Sequence, residues 1–392
     1  MHTIIVLGGA GAMGQIIVQD LADTAKDTKI IIGDFNIEGN ERIAELVKRP
    51  NVEAEKIDIK NEAALVALLK KGQCVVNSTP YYFNVDVMKA ALKAGCSYTD
   101  LGGLYHATMK QLELHDEFEK ADLVAVLGSG AAPGTTNLLA AAAAKDLDEV
   151  ELIDIACGSV DFAEASDHPF YPPYMLDTLF DEYTKDAMVF ENGVAEGRNP
   201  LAMQKNIEFG DPVGTQPAIY TLHSEVATLP ITYRDKGIKN VYFRLALPAE
   251  LHEKLELFVK LGFGKPEPIE TAEGKFHPRK ILAHMIAQIP YTKPAVNDVE
   301  ILRVDVKGKK GNEAVHIIMF ETATSDSKRQ IGAGDLNTGV PPSIVAQMIV
   351  DGRIKKHGVL APEVAVDTDQ YFAELEKRNC KIRRIVNEAV KG

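Results

Sequence analysis

Short apolar runs alternate with amphipathic stretches through the first third of the chain. The runs at 3–7, 29–33, 55–59, 74–77, 98–101 and 125–127 have strand length, and most are followed by Gly, Asp or Ser. Between them, apolar positions recur with helical spacing at 15–22, 62–70, 86–94 and 110–121. Strands that alternate with helices predict a parallel sheet covered on both faces, the α/β doubly wound arrangement, over residues 1–134. Right-handed crossovers then place every strand's C-terminal end on one edge, where such sheets bind ligands.

From about residue 135 the rhythm changes. An Ala-rich helix is predicted at 138–145, capped by Thr135, Thr136 or Asn137. Strands follow at 149–157, 219–222, 241–247, 299–306 and 314–322, with helices at 175–183, 248–261 and 278–288. Longer, irregular spacing of strands reads as an α+β second domain on a mixed or antiparallel sheet, 135–338, whose face offers a homodimer surface. Pro341-Pro342 is read as opening a helix at 343–350. The segment 339–392 is expected to return to the first domain.

The first inter-strand turn carries chemistry. Gly9, Gly11 and Gly14 form Gly-x-Gly-x-x-Gly between an apolar run and a helical pattern, and Asp34 ends the next run twenty residues on. That context marks a dinucleotide site of the Rossmann type. Gly9 permits the tight turn, Gly11 admits a pyrophosphate, and Gly14 lets helix and strand pack closely. The helix start supplies N–H groups for phosphate. Asp34 would accept hydrogen bonds from the adenosine ribose and repel a 2′-phosphate. The next residues, Phe35 to Glu38, hold no cation, so NAD is expected over NADP. Asp58 fits either an adenine-edge contact or a solvated loop acid. Asn77 to Pro80 would run along the cofactor, though Ser and Thr also suit a helix cap.

Composition narrows the rest. The 392 residues are 46% hydrophobic and 25% charged, with a net charge of −13 that disfavours nucleic acid. The four cysteines share no metal-ligand spacing, no run reaches membrane-span length, and no metal site is indicated. Without a leader-like N-terminus, the cytoplasm is the expected compartment.

Taken together, these segments resemble the saccharopine dehydrogenase family, in its saccharopine reductase and L-lysine 6-dehydrogenase branch. The matching stretches are the Gly-rich start, Val75 to Asn84, Tyr98 to Gly103, Ala132-Pro133-Gly134, Thr221 to Glu225 with Thr228-Leu229-Pro230, and His277-Pro278-Arg279. Gly339-Val340-Pro341, Ala346-Gln347-Met348 and Gly358 to Glu363 extend the likeness across nearly the whole chain. The resemblance implies hydride transfer at a carbon bearing nitrogen, through an imine, on a small-molecule amino acid or amine. It carries cofactor contacts to Gly9, Gly11, Ala12, Met13, Gly14, Asp34, Asp58, Ser78, Thr79, Pro80, Asp100, Leu101, Ala131, Ala132 and Pro133. Substrate contacts fall on Tyr81, Tyr82, Gly102, Gly103, His223, Ser224 and Glu225.

The chain departs from the reductase pattern at Ala132, where that branch carries Asp, and at His223-Ser224-Glu225, where it uses an Arg for substrate carboxylates. Here the sequence looks more like the lysine 6-dehydrogenase version. An acidic crevice of Asp100, Asp177, Asp181 and Glu225 would suit a cationic amine. Amine oxidation needs a base, and His223 or Asp100 could serve. Tyr81 is the third catalytic candidate, as a pocket wall with Tyr82; core packing is the other use for such a pair. The rigid aromatic stretch from His168 to Tyr174 reads as a pocket lid or a packed surface loop. Three readings therefore compete: a saccharopine-like dehydrogenase, an oxidative deaminase of lysine or a diamine that releases ammonia, and a dinucleotide-binding redox sensor without catalysis.

Overall fold

The computed structural model describes residues 2–163, 169–170, 172–290 and 294–388. Six strands of the first part are β1 (His2–Leu7), β2 (Thr28–Asp34), β3 (Val52–Lys56), β4 (Cys74–Asn77), β5 (Ser97–Asp100) and β6 (Val124–Val126). They pair in parallel in the order β6-β5-β4-β1-β2-β3. Around them run α1 (Ala12–Thr24), α2 (Ile37–Val47), α3 (Glu62–Leu69), α4 (Asn84–Ala94), α5 (Tyr105–Leu112) and α6 (His115–Lys120). Strand order reverses between β1 and β4, so the loops after those two strands flank the crevice of the doubly wound sheet.

Three local expectations shift. β3 lies three residues earlier than the apolar run, because pairing of Ile30 with Val52 sets its register and only one neighbour covers this edge. The stretch 110–121 divides into α5 and α6 at Glu113-Leu114. The unforeseen α2 starts at a side-chain cap, where Asn36 accepts from the Gly39 N–H at 3.0 Å.

The second part comprises α7 (Thr135–Ala144), β7 (Glu149–Asp161), α8 (Leu176–Thr184), β8 (Ala187–Glu191), β9 (Val194–Arg198), β10 (Lys205–Glu208) and β11 (Thr215–Tyr220). It continues with α9 (Glu225–Thr232), β12 (Asn240–Ala246), α10 (Ala249–Lys260), β13 (Ile269–Thr271), β14 (Gly274–Phe276), α11 (Pro278–Ala287), β15 (Asp298–Lys310) and β16 (Glu313–Thr324). Its sheet is mixed: β12 and β7 are parallel, whereas β7, β15 and β16 are antiparallel neighbours. One face, bearing Ile153, Ile155, Phe243, Leu302, Val304 and Met319, packs beneath α7 and α9.

After Thr324 the chain leaves the second sheet. Helix α12 (Ala333–Val350) contains Pro341 and Pro342 inside it, where the pattern placed them at a helix start. An internal proline costs ~3 kcal/mol of helix stability. Here α12 is buried along most of its length against α1, and that packing outweighs the loss. Then β17 (Gly358–Leu360) adds in parallel to β6. After α13 (Pro362–Ala365) and α14 (Thr368–Glu376), β18 (Lys381–Glu388) pairs antiparallel with β16. The C-terminal segment, expected to return to the first domain, does so through β17 and also adds β18 to the second sheet. Cys74, Cys96, Cys157 and Cys380 are free thiols and buried. In the expected lid segment, His168 and Tyr171 lie outside the described residues.

Candidate functional site

The turn between β1 and α1 is built for close approach. Gly8 takes a left-handed conformation, φ +74°, and supplies the tight turn that the pattern assigned to Gly9. Gly9 instead lies under Ile32. A Cβ on Gly14 would come within 2.1 Å of the Gly8 carbonyl oxygen, so strand and helix meet only with glycine there. Gly11 is the α1 N-cap, with no side chain satisfying the first amides and no acid in the first turn. Ala12 and Met13 begin that turn. Open amides, a positive helix end and no steric filling fit a pyrophosphate.

Asp34 closes β2 beside this turn. One oxygen accepts from Ala10 N–H at 3.3 Å, the other from Asn36 N–H at 2.9 Å, which holds the carboxylate at the glycine loop. The expected absence of a nearby cation holds only along the chain: Lys56, paired with Asp34 in register, sits over the Phe35 ring at 5.2 Å. Asp58 is exposed and accepts from the Lys60 N–H at 3.0 Å.

The loop after β4 is less available than its sequence implied. Ser78 donates its hydroxyl to the Leu7 carbonyl at 2.6 Å, and Thr79 donates to Asn77 Oδ1 at 2.7 Å. Both hydroxyls tie the loop to β1 and β4. After Pro80, Tyr81 and Tyr82 form a short 3₁₀ turn, both exposed, with their rings edge-to-face at 5.9 Å. Gly103 lies against Tyr81.

Asp100, expected as an alternative base, is a brace. It is fully buried and accepts four hydrogen bonds: from Gly128 N–H at 2.6 Å, Gly102 N–H at 2.9 Å, Gln111 Nε2 at 2.6 Å and the Tyr98 hydroxyl at 2.8 Å. Burial raises its pKa, and the donors oppose that rise. With its acceptor positions filled, Asp100 locks the β5 and β6 loops together rather than exchanging protons. Gly102 and Gly128 both lie against Pro133, and the Leu101 carbonyl approaches Gly130, so the loops form one block.

That block continues into α7. Thr136 N–H donates to the Ala131 carbonyl at 3.0 Å, and Gly134 N–H donates to Asn137 Oδ1 at 3.0 Å. Ala132 and Pro133 lie in the same turn. The Thr136 hydroxyl donates to Glu225 Oε1 at 2.8 Å, and Glu225 Oε2 stands 3.1 Å from His223 Nδ1. The His223 ring stacks on Phe243 at 3.6 Å with an 11° interplanar angle. The pattern had put 223–225 at a strand end; in the structure Glu225 opens α9, a helix not foreseen in the sequence. Ser224 and Glu225, expected as substrate contacts, are enclosed, whereas the His223 side chain keeps 20% of its surface accessible.

The surroundings are acidic in a different way from the expected crevice. Asp181 and Asp177 face Arg279, at 2.7 and 3.9 Å. Instead Glu300, Glu225, Glu321 and Glu182 all act electrostatically on the Cys157 thiol, and burial raises its pKa. Burial pushes Glu182 up to about 7, against the hydroxyl of Tyr174 and the nearby His223. It pushes Glu300 to about 7 and Glu321 to about 8. Asn337 Nδ2 bridges the last two, at 2.9 and 2.8 Å. Among the groups acting most strongly on these three acids there is no Lys or Arg. Sequence spacing could not reveal this group, because it gathers residues from α8, α9, β15 and β16.

Two family descriptions match the chain. Residues 4–126 match the saccharopine dehydrogenase NADP binding domain, and residues 130–380 match the saccharopine dehydrogenase C-terminal domain. The chain belongs to the saccharopine dehydrogenase family. It is an oxidoreductase of that family with a nicotinamide dinucleotide cofactor, and the glycine turn fits that group. Among full-length relatives, a carboxyaminopropylagmatine dehydrogenase from Synechocystis is 23% identical, covering 98% of each chain. A carboxynorspermidine synthase from Vibrio alginolyticus is 25% identical, covering 93% of this chain and 92% of its own. Apo saccharopine dehydrogenase (L-Glu forming) from Saccharomyces cerevisiae shares the fold, with a TM-score of 0.79 at 17% identity over 99% of this chain and 100% of its own. Among the described residues, no helix of this family member is long and apolar enough to cross a membrane.

Proposed function

We propose that the protein is an NAD-linked dehydrogenase acting on the C–N bond of a carboxyalkylated, cationic amine of the polyamine type, through a substrate imine. The observation that carries this reading is His223, partly accessible and held by the buried Glu225 next to the turn that follows β6. Glu182 near it, and Glu300 and Glu321, which share the Cys157 neighbourhood with Glu225, have no Lys or Arg partner among the described residues, and such charges are costly unless protonated or met by a cation. An ammonium-bearing substrate complements them. The names of the two full-length relatives, carboxylated derivatives of polyamine-type amines, point the same way and away from a lysine-derived substrate.

In the oxidative direction, the secondary ammonium first loses a proton to His223 Nε2, exposing the nitrogen lone pair. A nicotinamide cofactor held at the glycine turn would supply the acceptor for the hydride of the adjoining carbon. The nitrogen lone pair then completes a C=N bond, and water adds to release an aldehyde and a primary amine. His223 suits the proton step because its ring is fixed by Phe243 and its Nδ1 is engaged by Glu225. Preference for NAD rests on the Asp34 carboxylate beside the glycine turn, although the matching family description speaks of NADP.

The test is a spectrophotometric panel of carboxyalkylated polyamines, saccharopine, lysine, ornithine and free polyamines with NAD and NADP. Cofactor reduction confined to the carboxyalkylated polyamines is the expected result. Ammonia release from lysine would replace this reading by a deaminase. Cofactor binding without turnover across the panel would replace it by a redox sensor.

A further inference from the structure

The first turn of α7 sends three neighbouring side chains to three places. Thr135 meets the Tyr371 hydroxyl of α14 at 2.7 Å. Asn137 donates to Glu363 of α13 at 2.9 Å and to Thr228 of α9 at 3.2 Å. Thr136 alone reaches Glu225, and Glu225 is the partner of His223. All three are buried. Their backbone is tied to the preceding loop, since Thr135 and Thr136 donate to the carbonyls of Gly130 and Ala131 at 2.9 and 3.0 Å.

We propose that Thr136 and Glu225 are positioning residues that set the ring orientation and tautomer of His223 and join it mechanically to the loop bordering the cofactor. The proposal rests on the reading of His223 as the proton carrier. A carboxylate at Nδ1 keeps the proton on that nitrogen and leaves the Nε2 lone pair for substrate. Glu225 can do this only while its own rotamer is held, and the Thr136 hydroxyl is the donor on its other oxygen. Phe243 fixes the plane of the ring, and Glu225 fixes the rotation within that plane. Because Thr136 follows the 128–134 block and its backbone is tied to Ala131, the position of that block sets the position of the donor. Glu225 is completely enclosed, so it acts through His223 and not on substrate.

A structural account would treat the Thr136–Glu225 bond as nothing more than satisfaction of two buried polar groups. The two accounts separate in a Thr136→Val variant. That substitution keeps the side-chain shape, and α9 stays tethered through Asn137 to Thr228 and Thr232 to Glu363. Protein labelled with ¹⁵N-histidine reports the His223 tautomer by NMR, independently of turnover; a His223→Asn variant assigns its signals. NADH fluorescence reports cofactor affinity.

Wild type is expected in the Nδ1–H form. Thr136→Val mixes the tautomers and lowers kcat about tenfold at unchanged NADH affinity, the usual scale for a partner one step removed. Thr136→Ser retains the wild-type tautomer and rate. Glu225→Gln lowers kcat further, up to about 100-fold, no more than loss of His223 itself. The proposal is overturned if Thr136→Val keeps the wild-type tautomer and kcat, whatever happens to its melting temperature. Absence of turnover in wild type removes the His223 reaction but leaves the tautomer measurement to decide the positioning claim.

Discussion

A residue's chemistry here is set by how many of its polar atoms are already engaged. His223 was the first candidate for the base and Asp100 the alternative; Asp100 has four donors and no exposed surface, whereas His223 has one engaged nitrogen and an accessible ring. Replacing His223 with Asn is therefore expected to lower kcat about 100-fold or more with cofactor affinity unchanged, the scale of general acid–base catalysis. Asp100→Ala should cost about 3 kcal/mol of stability, because four buried donors lose their acceptor; chemical denaturation measures it, and unchanged stability would contradict the brace. Asp34 was legible from its place at the end of an apolar run, and in the structure it closes β2 beside the glycine turn. Asp34→Ala should shift the NAD-to-NADP ratio of kcat/KM by about tenfold toward NADP, equivalent to about 1.4 kcal/mol, because the carboxylate that repels a 2′-phosphate is lost.

At the scale of elements, the junction of β15, β16 and α12 holds two carboxyls whose protons matter to stability. Glu300 and Glu321 titrate near 7 and 8 in the folded protein because burial disfavours their charge. Unfolded, they ionise near the ordinary Glu value of about 4.3. Between that value and about 8 the folded state holds more protons than the unfolded chain, so raising the pH through this window lowers stability. Glu321→Gln removes one such penalty. It is expected to raise the melting temperature at pH 8 by a few degrees relative to wild type and to change it little at pH 4.5, as calorimetry in the two buffers would show. The same junction explains why α12 tolerates two prolines: its face against α1 is nearly all buried, and Gly339 lets the helices approach until a Cβ would touch Ile16 at 2.7 Å.

Across the whole molecule, the C-terminal segment acts as a clasp. β17 extends the first sheet, β18 extends the second, and between them Arg378 pairs with the buried Asp20 of α1 at 2.8 Å. Both sheets therefore lose an edge strand if this segment detaches. We expect a single cooperative thermal transition by calorimetry. Deleting the chain from Gly358 onward should abolish it, and two separable transitions in the intact protein would argue that the clasp is weak. The hydrogen-bonded path from the loop after β6 through Thr136 of α7 to Glu225 and His223 also belongs to this scale.

What the chain alone determined is what depends on neighbours in sequence. The glycine turn, the parallel strands and Asp34 are local patterns with a fixed period, and so the nucleotide-binding fold was readable before any coordinates. The mixed second sheet was readable as a class, because strand runs of irregular spacing leave few alternatives. Register and enclosure were not. The helix at Glu225–Thr232, the prolines within α12 and the split of the C-terminal segment follow from burial against distant elements, which overrides local propensity. Likewise, the acid held by four donors, the acid between Thr136 and His223, and the acids whose pKa burial raises are the same residue types in sequence. Only the tertiary structure separates them, because a carboxylate's role depends on the donors that folding brings within about 3 Å of its oxygens.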